Sequence, residues 1–184
     1  MRPKIKRAAP LLISFAVFIP CVLIIGYVLN NVVVFQNPET AFRFSQYKNP
    51  DITIIGEESA LVVAHNGDET NLGIILKSED GWKIGSARLS QTRMVYQYVG
   101  NGLLIKVWNQ SSTNDYYVIA HGFGIDISMG ELEIYDECGS EFINYADSYG
   151  YRYYAYIKSY DGLYTLYIND EMYELDFYLK FEIG

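Results

Sequence analysis

The stretch Tyr173-Glu174-Leu175-Asp176-Phe177-Tyr178-Leu179-Lys180-Phe181-Glu182-Ile183 alternates with a period of two. Tyr173, Leu175, Phe177, Leu179, Phe181 and Ile183 fall on one side and Glu174, Asp176, Lys180 and Glu182 on the other. Successive side chains of a strand point to opposite faces, so this pattern predicts a β-strand with one wet face. Just before it, Asn169-Asp170-Glu171 has the residues of a tight turn, because Asn and Asp tolerate positive φ. Residues 163–168, ahead of that turn, are largely apolar on both faces and read as an interior strand paired to the last one.

The same grammar runs back along the chain. Ile52 to Ile55 and residues 60–64, 72–76, 103–108 and 116–120 are short runs rich in Ile, Val, Leu and aromatics. Several are too uniformly apolar to be half-exposed. Asn66-Gly67, Glu79-Asp80-Gly81, Gly100-Asn101-Gly102 and Tyr160-Asp161-Gly162 separate such runs, where they suit hairpins. The fold expected for 52–184 is therefore all-β, an antiparallel meander forming a sandwich or open barrel. Lys77-Ser78-Glu79-Asp80-Gly81-Trp82 is echoed by Lys158-Ser159-Tyr160-Asp161-Gly162-Leu163, and shared hairpin chemistry accounts for the echo without duplication.

Ahead of the strands the composition changes. Residues 8–38 contain no Asp, Glu, Lys, Arg or His, while Arg2, Lys4, Lys6 and Arg7 precede them. The most apolar part, 11–29, would span roughly 28 Å as a helix, close to the hydrocarbon thickness of a bilayer. This predicts a basic cytoplasmic tail over 1–7 and a transmembrane signal-anchor helix over 8–35, kinked near Pro20. The apolar run is longer than that of a signal peptide and leads into Tyr27-Val28-Leu29-Asn30-Asn31 rather than small residues, so cleavage is not expected. Basic residues ahead of the span and none until Arg43 after it place the N-terminus in the cytoplasm and the rest outside. Residues 36–51 read as a membrane-proximal linker in which Asn37-Pro38-Glu39 caps a short helix reaching Tyr47.

At 184 residues with a net charge of -8 and a sequence pI near 4.7, the chain holds at most one globular domain and has the wrong sign for nucleic acid. All 22 acids follow the apolar run, so the exported part is strongly acidic. Only Cys138 lies beyond that run, so no disulfide can form within the exported part. A bacterial envelope of the Gram-positive type fits this better than an oxidising eukaryotic compartment.

Candidate chemistry is sparse. His65 and His121 sit at strand ends, two histidines and one exported cysteine do not make a usual zinc set, and the acid clusters lack the spacing of a calcium loop. No metal and no cofactor is expected. His121-Gly122-Phe123-Gly124 resembles the glycine-rich oxyanion loop of α/β hydrolases, but no Gly-x-Ser-x-Gly elbow accompanies it. His121, Cys138 and Arg152, in that order on a tethered β domain, resemble the sortase transpeptidases. That family's Thr-Leu-x-Thr strand is replaced here by Tyr135-Asp136-Glu137, whose two acids should keep the Cys138 thiol protonated. A hydrolase or sortase-like cysteine transpeptidase using His121 or Cys138 is thus the alternative reading.

The leading one rests on tyrosine, 18 in all, with eleven between Tyr145 and Tyr178. Tyr149, Tyr151, Tyr153, Tyr154 and Tyr156 occupy alternate and adjacent positions, so on a strand with one wet face some rings should form an accessible strip. Tyrosine suits protein interfaces and stacks on sugars. The expectation is a non-enzymatic binding or accessory module, held in the bilayer through 8–35 and offering those tyrosines to an envelope protein or a cell-wall glycan.

Overall fold

A computed structural model describes residues 8–67, 69–84, 92–100, 102–122, 131–148, 150–158 and 163–176. The tail 1–7, Tyr149, residues 159–162 and the alternating residues from Phe177 onward lie outside the described residues.

The charge-free run forms helix α1, Ala8–Asn31, with Pro20 inside it. It stops short of the expected residue 35 because Val32 and Val33 bond back to the Val28 carbonyl in a closing turn. Among the described residues, no helix is long and apolar enough to cross a membrane. The expected crossing is therefore not met by the described residues. What they do have is an apolar surface turned outward, with Phe18 65 % and Leu23 67 % exposed.

Helix α2, Pro38–Gln46, forms as its sequence predicts. Asn37 caps it, its Oδ1 accepting from the Thr40 amide at 2.9 Å and the Thr40 hydroxyl at 2.7 Å. Pro38 opens the first turn, where its missing N–H is not needed. Tyr47, at φ 57°, ends the helix in the left-handed conformation. Rather than merely linking, α2 inserts Ala41 and Phe42, both wholly buried, against Ala60, Val62, Ala64, Ile75 and Trp82. Phe35 joins the same cluster and is bridged to Trp82 by two backbone hydrogen bonds of 2.8 and 2.9 Å. Gly73 lets α2 approach, since a Cβ there would stand 3.1 Å from the Phe42 ring.

Among the described residues, twelve strands follow, all paired antiparallel. The first four, β1 (Ile52–Ile55), β2 (Ser59–Asn66), β3 (Glu69–Ser78) and β4 (Gly81–Lys83), form a four-stranded meander. Next come β5 (Thr92–Gly100), β6 (Leu103–Gln110) and β7 (Asp115–Gly122). The rest are β8 (Ile134–Asp136), β9 (Ile143–Asp147), β10 (Gly150–Lys158), β11 (Leu163–Ile168) and β12 (Glu171–Asp176). A five-stranded sheet has the order β5-β6-β7-β10-β9 and a three-stranded sheet the order β12-β11-β8. The all-β expectation holds, but the meander is continuous only in the first sheet. Strand β8 leaves for the third sheet, and β10 returns to lie between β7 and β9.

The sheets stack as layers. Leu61, Val63 and Ile74 of the four-stranded sheet pack on Tyr117, Ile119 and Tyr154 of the five-stranded sheet. The opposite face of the five-stranded sheet, with Leu103, Ile105, Val107, Val118 and Ala120, packs on Tyr164, Leu166, Ile168 and Leu175 of the three-stranded sheet. With α2 on the outside, the order is helix, four strands, five strands, three strands. This explains the uniformly apolar runs: residues 61–63 and 117–120 are buried on both faces because each lies in a sheet covered on both sides.

The turn chemistry acts largely as read. Asn169 and Asp170, at φ 50° and 64°, close the two-residue hairpin that pairs Ile168 with Glu171. Gly67, Gly81 and Gly102 all take positive φ at their hairpins. The echo at 158–163 is different. Strands β10 and β11 on either side of it belong to different sheets, whereas β3 and β4 on either side of 79–80 pair in one.

Candidate functional site

The tyrosine segment lies in β10, and its premise of one wet face is corrected by the layering. Tyr153 and Tyr154 are buried, and Tyr151 and Tyr156 are half-buried. Neighbouring rings do point to opposite faces, but a sheet covers each face. Tyr153 accepts the Leu132 amide at 2.7 Å, and Tyr156 donates to Asp115 Oδ1 at 3.1 Å. Tyr153 and Tyr154 thus serve as struts between layers, while Tyr151 and Tyr156 keep part of their surface accessible.

The most chemically endowed cluster centres on His65, at the end of β2. Asp51 Oδ2 lies 2.6 Å from the His65 amide and 3.1 Å from Nδ1, while Nε2 lies 2.7 Å from the Tyr154 hydroxyl. These partners assign the neutral tautomer with the proton on Nδ1, donating to Asp51, and Nε2 accepting from Tyr154. Tyr145 stacks on the ring at 3.7 Å and 7°. Arg152 pairs with Asp147 at 2.7 Å, and its charge acts on the imidazole. Burial, helped by Arg152, holds His65 below the ordinary histidine range against the pull of Asp51. Burial also pushes the Tyr154 phenol far up. An Asp-His-Tyr chain has the outline of a proton relay, yet the Tyr154 hydroxyl is a poor nucleophile when held protonated. Only 2 % of the His65 side chain is exposed, so the imidazole is enclosed by its partners. The cluster clasps the four-stranded sheet to the five-stranded one.

Asp115 makes a second clasp between the same sheets, at the turn from β1 to β2. It is 2 % exposed and accepts the amides of Glu57, Glu58 and Ser59 at 3.3, 2.9 and 2.7 Å and the Ser59 hydroxyl at 2.8 Å. Ser59 Oγ also meets Tyr117 Oη at 2.9 Å. Gly56 makes room, since a Cβ there would come within 2.6 Å of Asp115 Oδ2. Asp136 plays the matching part in the three-stranded sheet. It accepts the amides of Cys138 and Ser140 at 3.0 and 2.9 Å and a short bond from the Tyr164 hydroxyl. Burial alone would raise its pKa, but the bonds from Ser140, Tyr164 and Cys138 outweigh this and hold it below the usual range.

Of the residues of the enzyme reading, Cys138 stands apart from the other two. His121 and Arg152 are direct cross-strand partners on the five-stranded sheet, on the face turned to the four-stranded one. Cys138 follows β8 in the three-stranded sheet, across the intervening layer, where it is exposed. Desolvation together with Asp136 and Glu137 pushes its thiol up, the direction the adjacent acids imply. Phe123 and Gly124 lie outside the described residues. Among the described residues, no group of three His, Cys, Asp or Glu side chains is placed to hold a metal ion.

An accessible concavity lies elsewhere, where β5 and β12, the outer strands of their sheets among the described residues, meet. A cleft of about 520 Å³ is lined by Tyr96, Tyr98, Glu171, Met172, Tyr173 and Glu174. Tyr98 and Tyr173 meet edge-to-face at 5.3 Å, and the Tyr173 hydroxyl donates to Glu171 Oε2 at 2.7 Å. A register shift between Met94 and Tyr96 lets Val95, Tyr96 and Tyr98 all pack toward the three-stranded sheet, which strict alternation forbids. The sequence signal for this site is the alternating Tyr173 to Asp176, whereas its partner strand β5 carries no strong alternation. Comparison with protein families, with curated proteins and with solved structures finds no match to this chain.

Proposed function

We propose that the protein is a membrane-tethered extracytoplasmic binding or accessory module. Helix α1 anchors it, and the layered β domain is presented outside to an envelope protein or a cell-wall glycan. The observation carrying this reading is the outward apolar surface of α1, where Phe15, Val17, Phe18, Ile19, Val22, Leu23, Ile24 and Ile25 are each about half exposed or more. A helix apolar all round and unpacked by its own domain is unstable in water and suited to lipid. The bases before it and the acids after it orient it with the domain outside. The burial of His65, Asp115 and Asp136 in clasps favours a binding role over catalysis at those groups.

The test is topology. Protease added to intact cells or wall-free protoplasts should digest the domain, and the chain should stay with the membrane through alkaline carbonate washing. A domain protected in right-side-out membranes, or a chain released by carbonate, overturns the proposal.

A further inference from the structure

We propose that the cleft between β5 and β12 is a cation-binding site that takes a lysine or arginine side chain from a basic segment of a partner protein. The inference deepens the binding-module reading and rests on it for its biological meaning, but not for its chemistry.

The lining decides the ligand class. Three phenol rings and two carboxylates, with Met172 at 58 % exposure, surround the space, and none of the six residues carries positive charge. An anion would meet two like charges with no compensating donor cation. An ammonium or guanidinium group finds both terms of its recognition, ring faces for cation–π attraction and carboxylates for charge-assisted hydrogen bonds. Glu171 contributes twice. It offers charge to the cleft, and by accepting the Tyr173 proton bond it draws negative charge onto that phenol, which strengthens the ring as a cation partner. Together, burial and Glu171 push the Tyr173 hydroxyl well above the ordinary tyrosine range, so the ring stays a neutral donor to the carboxylate.

The rings are held ready. Tyr98 is set by its edge contact with Tyr173 and by Gly100, where a Cβ would come within 2.7 Å of the Tyr98 hydroxyl. Among the described residues, the strands bearing these residues are the outer strands of their sheets, so the cleft lies at an edge that suits an extended segment. The acidic exported part draws a basic segment toward it.

The test uses the full chain in nanodiscs of zwitterionic phosphatidylcholine, so that neither topology in cells nor anionic lipid enters the result. Acetyl-tetralysine-amide is titrated calorimetrically beside the same peptide with every lysine acetylated and beside chitotetraose. Saturable binding of the tetralysine alone is expected. Glu171→Gln with Glu174→Gln should weaken it about fivefold or more, and Tyr98→Ala roughly threefold to tenfold. The first pair is exposed and leaves the fold intact, so it decides the matter even if Tyr98→Ala unfolds. Glu79→Gln with Asp80→Asn, an equal change of charge on the remote β3–β4 turn, should leave binding unchanged. Equal weakening by the remote pair would reduce the effect to diffuse electrostatics and overturn the proposal. So would absence of binding, or tighter binding of chitotetraose. A failure here leaves the protease result standing, and a failed topology leaves the titration standing.

Discussion

Replacing Asp115 by Ala removes the acceptor for five hydrogen bonds at once, and the structure says which of their donors can recover. The Ser59 hydroxyl retains Tyr117 at 2.9 Å, and the Tyr156 hydroxyl belongs to a half-buried ring that can turn toward water. Glu57 and Glu58 are exposed, so their amides regain solvent in part. The Ser59 amide cannot, because Ser59 is wholly buried. One fully orphaned N–H and two partly compensated ones, at about 1 to 3 kcal/mol for each unsatisfied group, give an expected loss of about 3 to 5 kcal/mol. Asp115→Asn keeps the shape and one acceptor oxygen but turns an NH₂ toward amide donors, so an intermediate loss of about 1 to 3 kcal/mol is expected. Urea unfolding of the detergent-solubilised chain, followed by tryptophan fluorescence, measures both. The two tryptophans, Trp82 and Trp108, lie on the two sheets that Asp115 joins. Separate transitions at the two sheets would mean that the clasp couples them. An Asp115→Ala chain that loses less than about 1 kcal/mol, with a single unchanged transition, refutes the reasoning.

Two further predictions follow from the layers. His65 and His121 are both held below the ordinary histidine range, chiefly by burial, so the unfolded chain takes up protons first as the pH falls. Their contribution is complete above roughly pH 6.5 and is lost below it; His65→Gln should flatten the decline of unfolding free energy between pH 7.5 and 5.5, and an unchanged slope would show that His65 is not the buried neutral group. Phe42→Ala should cost about 3 to 5 kcal/mol if α2 belongs to the folded core, whereas a loss below about 1 kcal/mol would return α2 to the status of a linker.

What could be read in advance was local. The cap at Asn37, the stop at Tyr47 and the hairpin at Asn169-Asp170 depend on a few consecutive residues whose φ preferences and side-chain bonds act within one turn of chain. The pairing of β11 with β12 follows from that turn. Strand β11 is interior to its sheet, as its apolar run suggests, although its burial alternates because only one face of that sheet is covered among the described residues. Strand β5 was missed because its bulge breaks the period on which recognition rests.

By itself, the sequence determined the local character of the chain: a charge-free helix, a capped helix after it, and short antiparallel strands joined at Gly, Asn and Asp. These depend on neighbours, and periodicity records which faces a strand has. It does not record what covers them, and that was decided only by the tertiary structure. The adjacent rings of β10 read as one buried face and one wet face, and three stacked sheets put both faces inside. His65 meets Tyr154 across 89 positions and Asp115 meets Ser59 across 56. No local preference encodes such separations, because the free energy of each contact depends on a layer that exists only after the distant strands have assembled.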